Sequence, residues 1–232
     1  MSLRVVIIGY GRMGREIESL CNAYDCEIVE RLDIHNNTQG EGINLSKLPA
    51  ADVAVDFSTP SATVTNLPRL AEIGLNTVIG TTGWNAHEEQ MKKVVSNSEI
   101  GVVVAANFSL GVNIFQNIIE QASILLSSYE DFGAWIHEAH HAEKLDSPSG
   151  TALALERTMR QSGYKNPIDV SSTRVGSVTG THTVGFDGPF ETLTLTHTAR
   201  NRATFARGAL EAIRWIKGRR GWFTMRDVLN LG

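Results

Sequence analysis

Cysteine is nearly missing from this chain of 232 residues: Cys21 and Cys26 are the only two, five positions apart and without partners at metal-ligand spacing. That usage fits a reducing cytoplasm, with Cys21 read as helix core and Cys26 as loop or strand edge. Positive charge is not in excess either. Twenty-one Lys and Arg face 25 Asp and Glu, for a net charge of −4, so nothing favours nucleic acid or an anionic membrane as partner, and a substrate anion must be held by local positive groups. No long apolar run is present. The stretch Val5-Val6-Ile7-Ile8 near the N-terminus is too short for a signal-peptide core or a membrane span, so the expected location is cytoplasmic. Internal repeats and low-complexity segments are absent as well.

What is there is an ordinary globular balance, 42% hydrophobic and 20% charged, in a chain long enough for one large domain or two modest ones. The first hundred residues alternate short apolar runs with helix-length segments. Strands are expected at 4–9, 27–33, 52–57, 77–80 and 101–105, and helices at 12–24, 60–73 and 86–96. Such alternation implies an α/β fold with a parallel sheet and βαβ crossovers. After Asn107 the pattern changes. A long helix is expected at 109–126, a strand at 132–138, a helix capped by Ser149, strands at 168–175, 181–186 and 192–198, and a helix at 204–217, with a turn cluster at 185–189 between the last two strands. This half reads as α+β with an open, mostly antiparallel sheet. The expected division is residues 1–108 with 206–232 in one domain and 109–205 in the other; the return of the last helix and tail to the first domain is not carried by periodicity alone.

Gly9-Tyr10-Gly11-Arg12-Met13-Gly14 follows an expected strand and opens an expected helix. In that context Gly9 makes the tight turn, Gly11 lets the backbone approach a pyrophosphate, and Gly14 lets helix pack on strand. The pyrophosphate then meets free N–H groups at the positive helix end. Asp33, nineteen residues after Gly14, is the natural acceptor for the adenosine ribose hydroxyls, with Glu30 as the alternative acid. An acid here leans toward NADH over NADPH because it repels a 2′-phosphate, although Arg12 or Arg31 can soften the choice. Two further strand ends carry polar clusters, Asp56-Phe57-Ser58-Thr59-Pro60 and Gly80-Thr81-Thr82-Gly83. In doubly wound sheets ligands bind beyond the carboxyl ends of strands, so these loops are expected to line the cofactor cleft or, as the plainer reading, to be turns.

The segment from Glu138 to Thr151 packs His140, His141, Lys144 and Ser149-Gly150-Thr151 together. A histidine titrates near neutrality and can deliver a proton as hydride arrives. Lys144 offers a charge for a carboxylate. Ser149, Gly150 and Thr151 open a helix whose N–H groups can hold the same anion. His141 reads equally as a structural residue, His137 as a surface or packed strand residue, and His182 and His197 either face the same cavity or are satisfied sheet histidines.

These residues resemble the dihydrodipicolinate reductase family over nearly the whole chain. The resemblance rests on the glycine fingerprint, Val55-Asp56-Phe57-Ser58, the run from Val78 to Gly83, the run from Ala106 to Asn113, and His140-His141 with Lys144, Asp146 and Pro148-Ser149-Gly150-Thr151. Gly180-Thr181-His182, Glu191, His197, Arg202 and the run from Phe205 to Ala209 extend it. It implies a Rossmann-like cofactor domain, a substrate and oligomerisation domain with an open mixed sheet, a homotetramer, and hydride transfer from NADH or NADPH to C4 of a cyclic unsaturated dicarboxylate. By resemblance His140 is the proton donor and Lys144 a catalytic and substrate-binding lysine. His141 and Thr151 are substrate contacts, with Ser149 and Gly150 in the carboxylate-binding loop. Gly80, Thr82 and the Ala106-Asn107-Phe108 loop are cofactor contacts, and Thr81 lies between the first two. Domain closure about Asn107 is expected to exclude water. Ala106 stands where many members have proline, and Glu143 where many have a basic residue or histidine. Two rivals stay open from the residues themselves: another NAD(P)-dependent dehydrogenase, and a dinucleotide sensor that would need the glycine loop but not the 138–151 cluster.

Overall fold

The structure, a computed structural model, describes residues 2–48 and 50–231. Residues 1, 49 and 232, which fall within the expected domain bounds, lie outside the described residues. The chain divides into two compact units, Met1–Leu110 with Phe205–Gly232, and Gly111–Thr204.

The first unit is Rossmann-like. Among the described residues its sheet has six strands: β1 (Leu3–Ile8), β2 (Cys26–Leu32), β3 (Val53–Asp56), β4 (Asn76–Ile79), β5 (Gly101–Val104) and β10 (Gly221–Phe223), in the order β10-β5-β4-β3-β1-β2. All pairings are parallel. Helices cover both faces, so the central strands carry buried apolar runs, Val5–Ile8 in β1, Val53–Val55 in β3 and Val78–Ile79 in β4. Val5, Ile7, Val53, Val55 and Val78 meet α1 (Arg12–Cys21) and α6 (Ala203–Ile216) on one face. On the other face Ile79 and Val102 meet α2 (Pro60–Glu72) and α3 (Glu88–Ser96), and Val6, Ile8 and Ala54 pack with Leu70 of α2. The helix expected at 12–24 ends earlier. It gives way to a 3-10 turn at Asn22–Tyr24, and Asp25 at φ 54° then turns the chain into β2. Cys26 opens β2 and is buried. Two elements were not expected, β10 and α7 (Met225–Val228). Three residues are too few to show a period, and β10 is a strand because Gly221, Trp222 and Phe223 pair with Gly101, Val102 and Val103.

The second unit contains α4 (Leu110–Leu126) from Gly111 onward, β6 (Gly133–His140), α5 (Gly150–Gln161), β7 (Ile168–Arg174), β8 (Thr181–Asp187) and β9 (Thr192–Thr198). Its described sheet has four strands in the order β7-β6-β8-β9, mixed because β6 and β7 are parallel and the other pairs antiparallel. Phe115 and Ile119 of α4, and Leu155 and Met159 of α5, bury one face against Ile136, Val184 and Phe186. The strand expected at 132–138 runs two residues further, because its ladder with β7 continues to the pair His140–Arg174. The turn cluster at 185–189 begins later than expected: β8 continues to Asp187, paired with Thr192, and Gly188 N–H closes the turn on Glu191 O at 2.9 Å. Among the described residues no helix is long and apolar enough to cross a membrane.

Candidate active site

In the first unit the carboxyl ends of β1 to β5 carry the loops that the sequence marks. The chain steps from β1 outward to β2 and then returns past β1 to β3, so a crevice opens at the β1/β3 boundary. Gly9 sits there at φ 89°, and a Cβ on it would lie 2.5 Å from Phe57 O; only glycine fits. A Cβ on Gly14 would lie 2.8 Å from Gly9 O, which shows how tightly α1 approaches the strand. At Gly11 no described atom lies within 4 Å of that position, and among the described residues no side chain caps α1. The first N–H groups of this ten-residue helix, from Arg12 and Met13 onward, thus meet no capping side chain at the positive end of its dipole. That cradle fits a dinucleotide pyrophosphate. Tyr10 is held by its own partners: its hydroxyl donates to Glu18, which also takes Arg31, and the Arg15 and Arg31 guanidinium carbons each lie 5.7 Å from the ring centroid.

Asp33 directly follows β2, with one carboxylate oxygen accepting from His35 N at 2.8 Å. Thr81 is buried and turns its hydroxyl toward Asp56 Oδ1, 3.3 Å away, while Thr82 is exposed. Gly80 is packed under the Phe57 ring. Ala106 is exposed, Asn107 half-buried, and Phe108 is a core residue. Sequence reasoning missed what organises these loops. Buried Asp56 accepts from Ser58 N at 2.9 Å and from Asn66 Nδ2 at 3.0 Å, and Asn66 Oδ1 accepts from Asn37 Nδ2 at 3.1 Å. One carboxylate thus ties together the loops that follow β2, β3 and β4.

In the second unit the alternation along β6 sends Ala134, Ile136, Glu138 and His140 to the buried face. Glu138 is fully buried, an expensive place for a charge without partners. Its partners are Arg174 Nη1 at 3.0 Å and Nη2 at 2.7 Å, Ser149 N at 3.2 Å, and His140 Nδ1. Burial pushes its carboxyl up, but Arg174, His140 and the other donors outweigh that and hold it down at about 2. An ionised Glu138 only accepts, so the proton of His140 sits on Nδ1 and Nε2 stands over Gly180, where a Cβ would approach to 3.0 Å. Burial lowers the His140 imidazole below its ordinary value, and Glu138 pulls the other way. His182 joins the cluster: its ring centroid lies 5.1 Å from that of His140, and Nε2 bonds with Ser149 Oγ at 3.0 Å. Burial, and then the neighbouring His140, push it down to about 4. His197 faces His182 across the β8/β9 ladder.

Ser149 caps α5 through Ala152 N at 3.2 Å, and its own N–H goes to Glu138, so both its groups are engaged internally. Gly150 is exposed, and Thr151, His141 and Lys144 are half-buried around the same turn. Lys144 Nζ pairs with Asp146 Oδ1 at 2.7 Å. Glu138, His140 and His182 offer ligand atoms within 4.8 Å of one another, which is metal-like spacing. Both carboxylate oxygens already bond Arg174, however, so a guanidinium fills the cationic role. The missed residues here are Glu138 and Arg174. An inward-facing glutamate on a strand face that opens with Ala134 and Ile136 is the signal that could have found the pair.

Residues 3–108 match the family model described as "Dihydrodipicolinate reductase, N-terminus", and residues 111–229 match "Dihydrodipicolinate reductase, C-terminus". Among curated relatives, a 4-hydroxy-tetrahydrodipicolinate reductase of Afipia carboxidovorans is 41% identical, covering 99% of this chain and 98% of the relative. One of Christiangramia forsetii is 34% identical, covering 98% of each. The solved structure "Dipicolinate bound Dihydrodipicolinate reductase from Paenisporosarcina sp. TG-14" superimposes with a TM-score of 0.75 at 24% identity, over 97% of this chain and 98% of that one. A probable dehydrogenase from Thermotoga maritima does so at 0.68 and 10% identity, over 99% of this chain and 93% of that one. At such identities the structures speak for the fold alone, whereas the family models span both units, and on them the chain belongs to the dihydrodipicolinate reductase family.

Proposed function

We propose that the chain catalyses the NAD(P)H-dependent reduction of 4-hydroxy-tetrahydrodipicolinate to tetrahydrodipicolinate in lysine and diaminopimelate synthesis. The observation that carries this reading is the buried Glu138–His140 pair at the end of β6, beside Lys144 and the N-terminus of α5. That arrangement supplies a proton and an anion clamp on one rim.

Gly9, Tyr10, Gly11, Arg12, Met13 and Gly14 would hold the pyrophosphate, Asp33 the ribose, and Gly80, Thr81, Thr82, Ala106, Asn107 and Phe108 the nicotinamide end, the buried ones through backbone atoms. Bound NADH or NADPH would supply hydride to ring C4, with NADH favoured by Asp33. Lys144 and the N–H groups of Gly150 and Thr151 neutralise one ring carboxylate, and His141 lies within the same turn. Loss of the C4 hydroxyl as water gives the ring a conjugated C=C–C=N system; hydride addition to C4 of that system then leaves negative charge on the ring, which a proton from His140 quenches. Burial keeps His140 neutral in the free protein. A dianionic ring beside it favours the imidazolium, and Glu138 holds that cation in place. The exposed face of the mixed sheet, where Thr181 pairs with Thr198 and Thr183 with Thr196 at 3.1 Å, is the surface through which we propose a homotetramer forms. Light scattering of the purified protein tests that assembly.

The direct test is oxidation of NADH and of NADPH, followed at the nicotinamide absorbance band, with substrate made in situ by the preceding synthase from pyruvate and aspartate semialdehyde. Synthase-dependent oxidation that is lost in His140→Ala and Lys144→Ala supports the proposal, and the two rates give the cofactor preference. A folded protein that binds NADH but oxidises none of it would sink the assignment in favour of another dehydrogenase or a sensor.

A further inference from the structure

The clamp proposed for the substrate carboxylate already holds a carboxylate of the chain itself. Asp146 Oδ1 lies 2.7 Å from Lys144 Nζ, and its Oδ2 accepts from Gly150 N, the first N–H of α5, at 3.4 Å. One acidic side chain therefore takes both the cation and the helix end at once. Lys144, foremost among its neighbours, holds the Asp146 carboxyl below its usual range, so the group is a full negative charge at neutral pH. Its side chain is 57% exposed, against 22% for Lys144. Water thus stands ready to receive the acid if the lysine is taken by another anion. The backbone at this point is pinned separately. Arg174 Nη2 donates to Asp146 O at 2.6 Å while the same guanidinium grips Glu138. A side-chain rotation of Asp146 frees the clamp, and neither the loop nor the start of α5 has to move.

We propose that Asp146 is an internal stand-in for the substrate carboxylate: it occupies the clamp in the ligand-free protein and is displaced when a dicarboxylate binds. The inference rests on the reading of Lys144 and the α5 N-terminus as that clamp. The exchange swaps one carboxylate for another on an unchanged lysine, so the charge count at the clamp stays constant and Lys144 is never left bare. Its cost falls on affinity, because a ligand meets a clamp that is free only part of the time. A single weak anion gains little by the swap. A ring with a second carboxylate has further contacts to offset it, so Asp146 acts as a selectivity filter for dianions as well as a gate.

The test titrates pyridine-2,6-dicarboxylate into the full chain by calorimetry, with and without NADH, comparing the parent with Asp146→Asn, Lys144→Ala and, as a charge-matched control, Glu130→Gln, which neutralises an exposed acid of the same unit. Removing an exposed ion-pair competitor is expected to tighten dicarboxylate binding about threefold in Asp146→Asn, with no gain in Glu130→Gln and an unchanged dissociation constant for NADH. Unchanged or weaker binding in Asp146→Asn overturns the stand-in and makes Asp146 an orienting partner of Lys144. If Lys144→Ala leaves dicarboxylate binding intact, the clamp reading itself fails, a result distinct from the first. Should Asp146→Asn melt early, Asp146→Ser removes the charge while keeping a hydroxyl for Gly150 N–H, and the same comparison applies.

Discussion

Replacing Glu138 with glutamine keeps the shape of the side chain and removes its charge, which separates two roles that the structure superimposes. The carboxylate accepts from His140 and from both terminal nitrogens of Arg174. A charge-assisted hydrogen bond of this kind contributes about 1.5–3 kcal/mol. At 1.36 kcal/mol per pKa unit, its loss lowers the support for a protonated His140 by roughly one to two units. Burial already places this imidazole below its ordinary value, so the variant moves it further down. If His140 is the proton donor, kcat/KM falls as pH rises through its pKa. In Glu138→Gln that descending limb shifts one to two units toward acid, and the rate at pH 7 drops about 10- to 100-fold. The variant also leaves Arg174 without its carboxylate, a cost of about 3–5 kcal/mol in stability, so the pH profile is recorded at low temperature with circular dichroism to certify the fold. A profile that stays in place while the melting temperature falls would refute the reasoning and reduce Glu138 to a strut between β6 and β7.

Further expectations follow from the same two units. His182 is pushed down to about 4 in the folded protein, against about 6.5 in an unfolded chain. Between those values the unfolded state binds more protons, so this stability is present above pH 6.5 and lost as pH falls toward 4, to a total of roughly 3 kcal/mol. Melts from pH 7.5 to 5 are expected to show a shallower slope in His182→Gln, reduced rather than abolished because His140 and His197 are lowered in the same direction. Gly9→Ala forces a Cβ to 2.5 Å from Phe57 O at φ 89°, costing about 1–3 kcal/mol from the backbone conformation alone. It is expected to lower the melting temperature and abolish NADH binding in calorimetry, and normal binding would show that the turn relaxes. Asp33→Asn is expected to raise the NADPH-to-NADH ratio of kcat/KM, and an unchanged ratio would remove Asp33 from the ribose site.

The first unit was legible because its central strands carry runs buried on both faces. Val5 to Ile8 and Val53 to Val55 are continuous apolar runs that a parallel sheet requires and a half-exposed one does not. The glycine fingerprint was legible for a related reason, since Gly9 answers to a backbone atom that no other residue tolerates. β10 was not legible, because its three residues gain their structure from β5, some 120 positions earlier. The polar interior of the second unit was hidden in the same way. Arg174 reaches Glu138 through the parallel register of β6 with β7, and His182 reaches it through the antiparallel register of β6 with β8. No local pattern announces a partner 36 residues away. The alternation of Ala134, Ile136, Glu138 and His140 gives only half of the statement, that a charge is buried, and leaves its counter-ion unnamed.

The core of the first unit is completed by Ala206, Ala209, Leu210, Ile213, Ile216 and Met225, all encoded after the whole of the second unit. On the ribosome the order of maturation is therefore the reverse of the order of reading. The second unit, contiguous from Gly111 to Thr204, has its full complement of residues while the first unit still lacks α6, α7 and an edge strand. Until the last thirty or so residues emerge, β5 presents an unpaired edge and the face of the parallel sheet that α6 covers is shielded by α1 alone. A stalled or truncated chain is thus at greatest risk of aggregation in its oldest segment, and late nonsense mutations should be as damaging to the yield of folded protein as early ones.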